Sequence, residues 1–173
     1  LQDNGDSLMK YLNYGGLPGL RKIGLENDEH VWAYLSSVSN TIMLKDIIER
    51  HDIRNVPFLN NLIVFYADTT GKLTSANSIA KYMKSQGESI SSNLVLLYRS
   101  FYEEAYLLTV VPRYDIHGKK LLESNEKVYW DDLGLRNLKA EGVMDSYIEK
   151  VIENAVYKHL CVSGYKVQVG VLG

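Results

Sequence analysis

Apolar residues recur at helical spacing through the first part of the chain, which predicts a helical N-terminal segment over residues 1–55. Leu8 and Leu12 belong to a short pattern that ends at Gly15-Gly16, and Pro18 keeps the next residues extended. A longer pattern runs from Val31 to Ile48, with Asn27 or Asp28 able to cap its start. It predicts one long amphipathic helix, or two that join near Ser39-Asn40.

From Val56 to Asp131 the pattern predicts three helices and then a β-hairpin. The first helix has Phe58, Leu59, Leu62, Ile63, Phe65 and Tyr66 on its apolar face. Ser75 caps the second helix, in which Ile79, Ala80, Tyr82 and Met83 face inward, and Gly87 ends it. Ser89 is expected to cap the third helix, which buries Ile90, Leu94, Leu97, Phe101 and Ala105. A short helix, a tight turn and a longer helix with a polar tip are typical of a helix-turn-helix.

The residues after the third helix predict two strands that would form a wing. Tyr106 to Val111 is apolar and β-branched and ends at Pro112, Asp115 to Lys120 is a polar loop, and Val128 to Trp130 resumes a strand. Residues 56–131 are therefore predicted to form a winged helix-turn-helix.

The last segment, residues 132–173, predicts only the beginning of an α/β region. Gly134 and Gly142 bracket an irregular stretch, an apolar helix from Tyr147 to Leu160 ends before Gly164, and Tyr165 to Val169 forms a strand. One helix and one strand cannot close a sheet, so this segment needs the preceding domain or a further piece of chain to cover it. The expected fold class is mainly α with a small β component.

Composition narrows the class of protein. The chain is 46% hydrophobic, and none of its apolar runs approaches the roughly 20 residues of a membrane span, which predicts a soluble globular protein. Its net charge of −2 gives no general attraction to nucleic acid. The single cysteine, Cys161, excludes an intrachain disulfide and favours a reducing, cytoplasmic location. The ends at Leu1 and Gly173 suggest a piece of a longer protein.

Nucleic-acid binding is the first candidate function, because winged modules present their third helix to the major groove and the wing to the phosphate backbone. Eight basic and six acidic residues between Lys72 and Lys127 favour it mildly. The alternative is that the same module docks a protein, as in a defence or toxin-antitoxin regulator, since fold alone does not fix function. The residues predicted to contact double-stranded DNA are Ser89, Ser91, Ser92, Asn93, Arg99, Arg113, Lys119 and Lys120.

Nuclease-type metal chemistry is the second candidate, because Glu149 and Glu153 lie one helical turn apart and carboxylates bind magnesium. Two carboxylates do not complete such a site. Neither Gly15-Gly16 nor Gly71-Lys72 has the spacing of a phosphate loop, and no nucleophile triad or zinc motif can be assembled. No complete catalytic, cofactor or metal site is therefore expected within these residues.

Six strings, in order, resemble the C-terminal region of bacterial and archaeal AAA-type ATP-binding proteins, a region known as a domain of unknown function. The resemblance implies a preceding ATPase module that binds ATP and magnesium, then a helical segment, a winged helix and a region similar to PD-(D/E)XK nucleases. The strings are YGGLP (14–18), TIMLKDIIER (41–50), NSIAK (77–81), YLLTVVPRY (106–114), KVYWDDLGLRN (127–137) and IENAVYKHL (152–160).

The resemblance also assigns expectations to single residues. Glu153 matches the acidic residue of the nuclease-like helix motif, whose strand aspartate would lie beyond Gly173. Lys45 departs from the family's arginine, which weakens any nucleotide-sensing role. Asp46, Arg113, Asp132 and Arg136 match the pattern and are expected to tie the winged helix to its neighbours through buried ion pairs and caps. The expected function is that of a non-catalytic DNA- or partner-binding region of a larger ATPase.

Overall fold

The computed structural model describes residues 4–115, 120–140 and 148–171. Its helices are α1 (Asn4–Tyr14), α2 (Leu20–Ile23), α3 (Asp28–Thr41), a π-helix (Ile42–Glu49), α4 (Val56–Asp68), α5 (Ala76–Ser85), α6 (Ser92–Glu104), α7 (Leu133–Lys139) and α8 (Ile148–Val162). Its strands are β1 (Leu73–Thr74), β2 (Leu108–Asp115), β3 (Lys120–Trp130) and β4 (Val169–Val171). The predicted mainly α fold with a small β component is confirmed. Within the described ranges, every helix is too short or too polar to cross a bilayer.

The strands form one mixed sheet in the order β1-β3-β2-β4. β2 pairs antiparallel with β3 from Leu108 opposite Trp130 to Asp115 opposite Lys120, and the register shifts between Val111 and Arg113. The shift falls at Pro112, which has no N–H to donate to a ladder. The prediction that Pro112 ends the strand was wrong, because a bulge lets β2 continue past it.

Helix α4 forms the centre of the core. Asn55 caps it by accepting a hydrogen bond from the Phe58 amide at 3.1 Å, and Pro57 lies in its first turn, where no N–H is needed. Its side chains at 58, 59, 62, 63 and 66 are at most 1% exposed. The sequence prediction for this helix is confirmed. α6 packs on it, since the rings of Phe58 and Tyr98 are 5.4 Å apart and the Tyr102 hydroxyl donates to the Leu59 carbonyl.

The long N-terminal pattern forms α3 and the π-helix, which follow each other without a break at Thr41. Asn27 caps α3 by accepting from the His30 amide at 3.2 Å. The charged side chains from Lys45 to Arg54 are exposed or half-buried. Among these residues, His51 stacks its ring on Phe101 with centroids 3.7 Å apart.

The predicted orientation of α6 was wrong in part. Ser91, and not Ser89, caps the helix by accepting from the Leu94 amide at 3.2 Å. The buried positions are Val95, Tyr98 and Tyr102, whereas Leu97 is 49% exposed. On α5, Ile79 and Met83 are buried as predicted, but Tyr82 is 48% exposed. Ser75 and Gly87 do cap and end α5 as expected, with Gly87 at φ +90°.

The last part of the chain also departs from its prediction. Residues expected to be irregular form α7, and the strand is β4 instead of Tyr165 to Val169. β4 pairs in parallel with β2, with Arg113 opposite Val169. α8 packs on β3 through Asn154, which accepts from the Trp130 amide at 2.7 Å and donates to the Trp130 carbonyl at 2.9 Å. The preceding sheet therefore covers one face of this segment.

Candidate functional site

The residues predicted to read DNA lie around the start of α6. Ser91 is exposed and occupied as the helix cap, Asn93 is exposed in the first turn, and Ser92 is half-buried. Ser89 lies exposed in the connection that precedes the helix. The structure therefore brings these four polar residues to one end of α6.

Arg99 is engaged within the protein. Its guanidinium pairs with Glu126 on β3 and lies 3.7 Å from Glu103, and its side chain is 15% exposed. Burial raises the pKa of Glu103, which the nearby Arg99 charge partly offsets. An arginine held by two carboxylates has little positive charge to offer to a phosphate, so its predicted DNA contact has no support in the geometry.

Apart from Arg99, α6 has no positively charged side chain. Leu96 and Leu97 are 41% and 49% exposed, and Ser100 is half-buried. Sequence reasoning assigned Leu97 to the core, because a helix with apolar residues on several sides does not define one inward face.

The wing residues are only partly described. Arg113 is half-buried on β2, between Leu122 on β3 and Val169 on β4. Lys120 begins β3 opposite Asp115. Lys119 lies outside the described residues, and its contact with DNA stays a prediction.

A groove of about 370 Å³ between α5 and α6 contains cations that the sequence interpretation did not single out. Lys81 and Lys84 are both exposed, with Asn77 and Ser92 beside them. Their spacing on α5 places them on neighbouring positions of one helical face. They were counted in the local charge balance, but only the packing of α5 against α6 puts them next to the polar helix tip.

Glu153 is held by neighbours on β3. Its carboxylate accepts from Lys127 Nζ at 2.7 Å and from the Tyr129 hydroxyl at 2.6 Å. Burial and this carboxylate raise the pKa of Tyr129. Glu149 is exposed, and no three His, Cys, Asp or Glu side chains in the described ranges are grouped to hold a metal. A nuclease completed by residues outside the chain stays a prediction.

Two of the strings that carry the resemblance contact each other across 116 positions of sequence. The Asp132 carboxylate accepts from the Gly16 amide at 2.8 Å and, as the cap of α7, from the Leu135 amide at 3.0 Å. A Cβ at Gly15 would lie 2.3 Å from this carboxylate, and a Cβ at Gly134 would lie 2.1 Å from the Tyr14 carbonyl oxygen. The close approach therefore requires glycine at both positions.

Buried polar side chains of helix α7 bind it to α4 and to α1. Arg136, 0% exposed, donates through Nε to the Ala67 carbonyl at 3.0 Å. Asn137 donates to the Leu12 and Asn13 carbonyls, each at 2.8 Å. The predicted capping role is confirmed for Asp132. Asp46 instead pairs with Arg50 at 3.0 Å on the surface, so a buried ion pair was the wrong expectation there.

A cavity of about 630 Å³ lies beside this contact. Five of the six strings named in the sequence analysis contribute to its wall, which includes Leu17, Ile42, Tyr106, Asp131, Asp132 and Lys158. Lys158 Nζ pairs with Asp131 at 2.6 Å. The cavity combines charged and apolar walls in one place, which is typical of binding sites.

Taken as a class, the chain is a mainly α protein with a small mixed sheet and polar contacts between distant segments. It belongs to the family described as a domain of unknown function, DUF8612, whose model matches residues 5–158.

Two curated relatives extend beyond this region. The chain is 31% identical over 163 residues to an uncharacterized protein from Haemophilus influenzae, covering 94% of this chain and 40% of the relative. It is 27% identical over 163 residues to an uncharacterized protein from Methanocaldococcus jannaschii, covering 91% of this chain and 35% of the relative. The chain thus spans less than half the length of either relative. No solved structure matches it.

Proposed function

We propose that residues 56–131 form a winged helix-turn-helix, and that the chain is a non-catalytic binding region of a larger AAA-type ATPase. The order α4, β1, α5, α6, β2, β3 supports the first part, because β1 pairs with β3 beside the hairpin that would be the wing. The resemblance and the greater length of both relatives support the second part.

The surface of α6 favours a protein partner over DNA. Its arginine is paired with Glu126, while Leu96 and Leu97 are exposed side by side. Exposed leucines gain free energy when a protein surface covers them, and the polyanionic groove of DNA offers them little. The proposed partner is the ATPase module of the parent protein, which would change its contact with α6 as its nucleotide state changes.

The test uses the separately produced ATPase module and this chain in a binding titration. Leu97→Asp should weaken binding at least about tenfold, because a carboxylate would be desolvated in the interface. Val64→Asp is the matched control, since Val64 is 40% exposed on α4 and should leave the affinity unchanged. Equal effects of both variants, or no binding by the unmodified chain, would contradict the proposal.

Double-stranded DNA is the second candidate, favoured by the lysines in the groove between α5 and α6. Lys81 and Lys84, together with the predicted wing cations Arg113, Lys119 and Lys120, would contact phosphates. Replacing either set with alanine should weaken duplex binding and flatten its dependence on salt. Absence of duplex binding at low salt removes this candidate and leaves the protein partner.

A further inference from the structure

The cavity beside Asp132 has a charge imbalance that neither proposed partner surface uses. Two carboxylates, Asp131 and Asp132, stand in its wall with one ammonium group, Lys158, and one imidazole, His159. The charge of Asp131 is already paired, because its Oδ1 accepts from Lys158 Nζ at 2.6 Å and from the Thr109 hydroxyl at 2.8 Å. The remaining negative charge belongs to Asp132.

Asp132 is a desolvated carboxylate held by backbone amides. Gly16 and Leu135 donate to it at 2.8 and 3.0 Å, and within the described part of the chain it forms no ion pair. Burial raises its pKa in spite of these amides and of the Lys158 charge nearby. Each carboxylate oxygen can accept a further hydrogen bond, so Asp132 has acceptor capacity for a cationic group in the cavity.

An exposed aromatic ring stands at the rim of the same cavity. Tyr106 adopts φ +54° directly after α6, a conformation that glycine takes without strain and tyrosine does not. Its side chain is 83% exposed, so the ring gains almost nothing from the core of this chain. The left-handed backbone ends α6, because the Tyr106 amide donates to the Glu103 carbonyl and the Leu107 amide donates to the Tyr102 carbonyl. The ring that this turn leaves exposed is available to a group bound in the cavity.

The other walls are aliphatic. Leu17 from the loop after α1, Ile42 from the π-helix and Leu135 from α7 line the cavity. They suit the apolar stem of a long side chain whose charged head reaches Asp132.

We propose that this cavity binds an arginine side chain presented by a protein segment. The guanidinium pairs with Asp132, its plane stacks on Tyr106, and its stem packs on Leu17 and Ile42. Arginine fits better than lysine because its planar head stacks and binds carboxylates in two contacts. An anion fits poorly, because Lys158 is engaged by Asp131. The inference goes beyond the proposed function, since it does not depend on what covers Leu96 and Leu97.

The test is an NMR titration of this chain with N-acetyl-arginine amide. N-acetyl-citrulline amide is the control, because it has nearly the same shape and no charge. The amide signals of Gly16 and Leu135, which both donate to Asp132, should shift to saturation with the arginine compound. The citrulline compound should bind at least about tenfold more weakly. Equal shifts with both compounds, or none with arginine, would overturn the proposal.

Two variants are expected to change the affinity for arginine in opposite directions. Asp132→Asn keeps a side chain that can cap α7 and should weaken arginine binding about tenfold. Lys158→Gln removes the one ammonium group named above and should strengthen it several-fold. If Lys158→Gln instead abolishes binding while N-acetyl-glutamate amide binds the unmodified chain, the site takes anions and the proposal is wrong.

Tyr106→Gly separates binding from folding. Glycine relieves the strained backbone, so this variant should fold at least as well as the unmodified chain while it binds arginine several-fold more weakly. Tyr165→Gly is the matched control, because Tyr165 is 66% exposed and does not line the cavity. Unchanged affinity in Tyr106→Gly would remove the stacking contact from the proposal, and unchanged affinity in Asp132→Asn or Lys158→Gln would overturn it.

Discussion

Asn154 connects α8 to the sheet, and its replacement tests this connection quantitatively. Its side chain forms the two hydrogen bonds that a neighbouring strand would otherwise form with the backbone of Trp130. It accepts from the Trp130 amide at 2.7 Å and donates to the Trp130 carbonyl at 2.9 Å. Asn154 is 0% exposed and Trp130 is 1% exposed, so water does not replace these bonds readily. Asn154→Leu has similar volume and removes both.

The expected loss of stability follows from the Trp130 amide and carbonyl, which the substitution leaves without hydrogen-bond partners. Each unsatisfied buried backbone group costs about 1–3 kcal/mol, and burial of the leucine offsets part of the sum. We expect the free energy of unfolding to fall by about 2–4 kcal/mol. Urea unfolding followed by tryptophan fluorescence measures this, and an unchanged slope with urea concentration shows that the comparison is valid.

Asn60→Leu is the matched control, because Asn60 is exposed on α4. It should change the free energy of unfolding by no more than about 0.5 kcal/mol. If Asn154→Leu is equally mild, the bonds between α8 and β3 do not hold this part of the chain, and the described packing of α8 is wrong.

Three further predictions concern the segments packed around α7 and α6. Gly134→Ala should destabilise the protein by about 1–3 kcal/mol in urea unfolding, because its Cβ would lie 2.1 Å from the Tyr14 carbonyl oxygen, whereas Gly16→Ala meets only a ring carbon at 3.3 Å and should cost less. The hydrogen bond to Asp28 raises the pKa of Tyr14 to about 12. The stability from this raised pKa is therefore complete below pH of about 10 and lost as pH rises towards 12, and a Tyr14→Phe variant that keeps the same pH dependence would contradict this assignment. Arg99→Ala should lower the free energy of unfolding by about 1 kcal/mol without weakening duplex binding, as measured by fluorescence anisotropy; a loss of duplex affinity would show that Arg99 reaches the nucleic acid.

Local patterns predicted the elements whose burial is one-sided. The apolar face of α4 and the caps at Asn27 and Ser75 are explained by residues within one or two helical turns. Such signals require no knowledge of distant neighbours.

The sequence predictions failed where contacts between residues far apart in the chain determine the structure. α7 contains a glycine in its first turn that looks like a helix breaker, yet Gly134 is needed for the approach to Tyr14, 120 positions earlier. On α6, the tyrosines at 98 and 102 are inward because their rings pack towards α4, which the spacing of Leu94 and Leu97 did not reveal. The Asp132 cavity had no local signal, since its wall is assembled from separate segments.

The most direct test of the proposed function is photo-crosslinking in the full-length parent protein. A photoreactive amino acid replaces Leu97 on the exposed face of α6, and a second variant carries it at Val64 on α4 as the control. We predict a crosslink from position 97 to the ATPase module, with a yield that changes when ATP is added, and none from position 64. Crosslinking from position 97 to duplex DNA, or to nothing while position 64 reaches the ATPase module, would contradict the account.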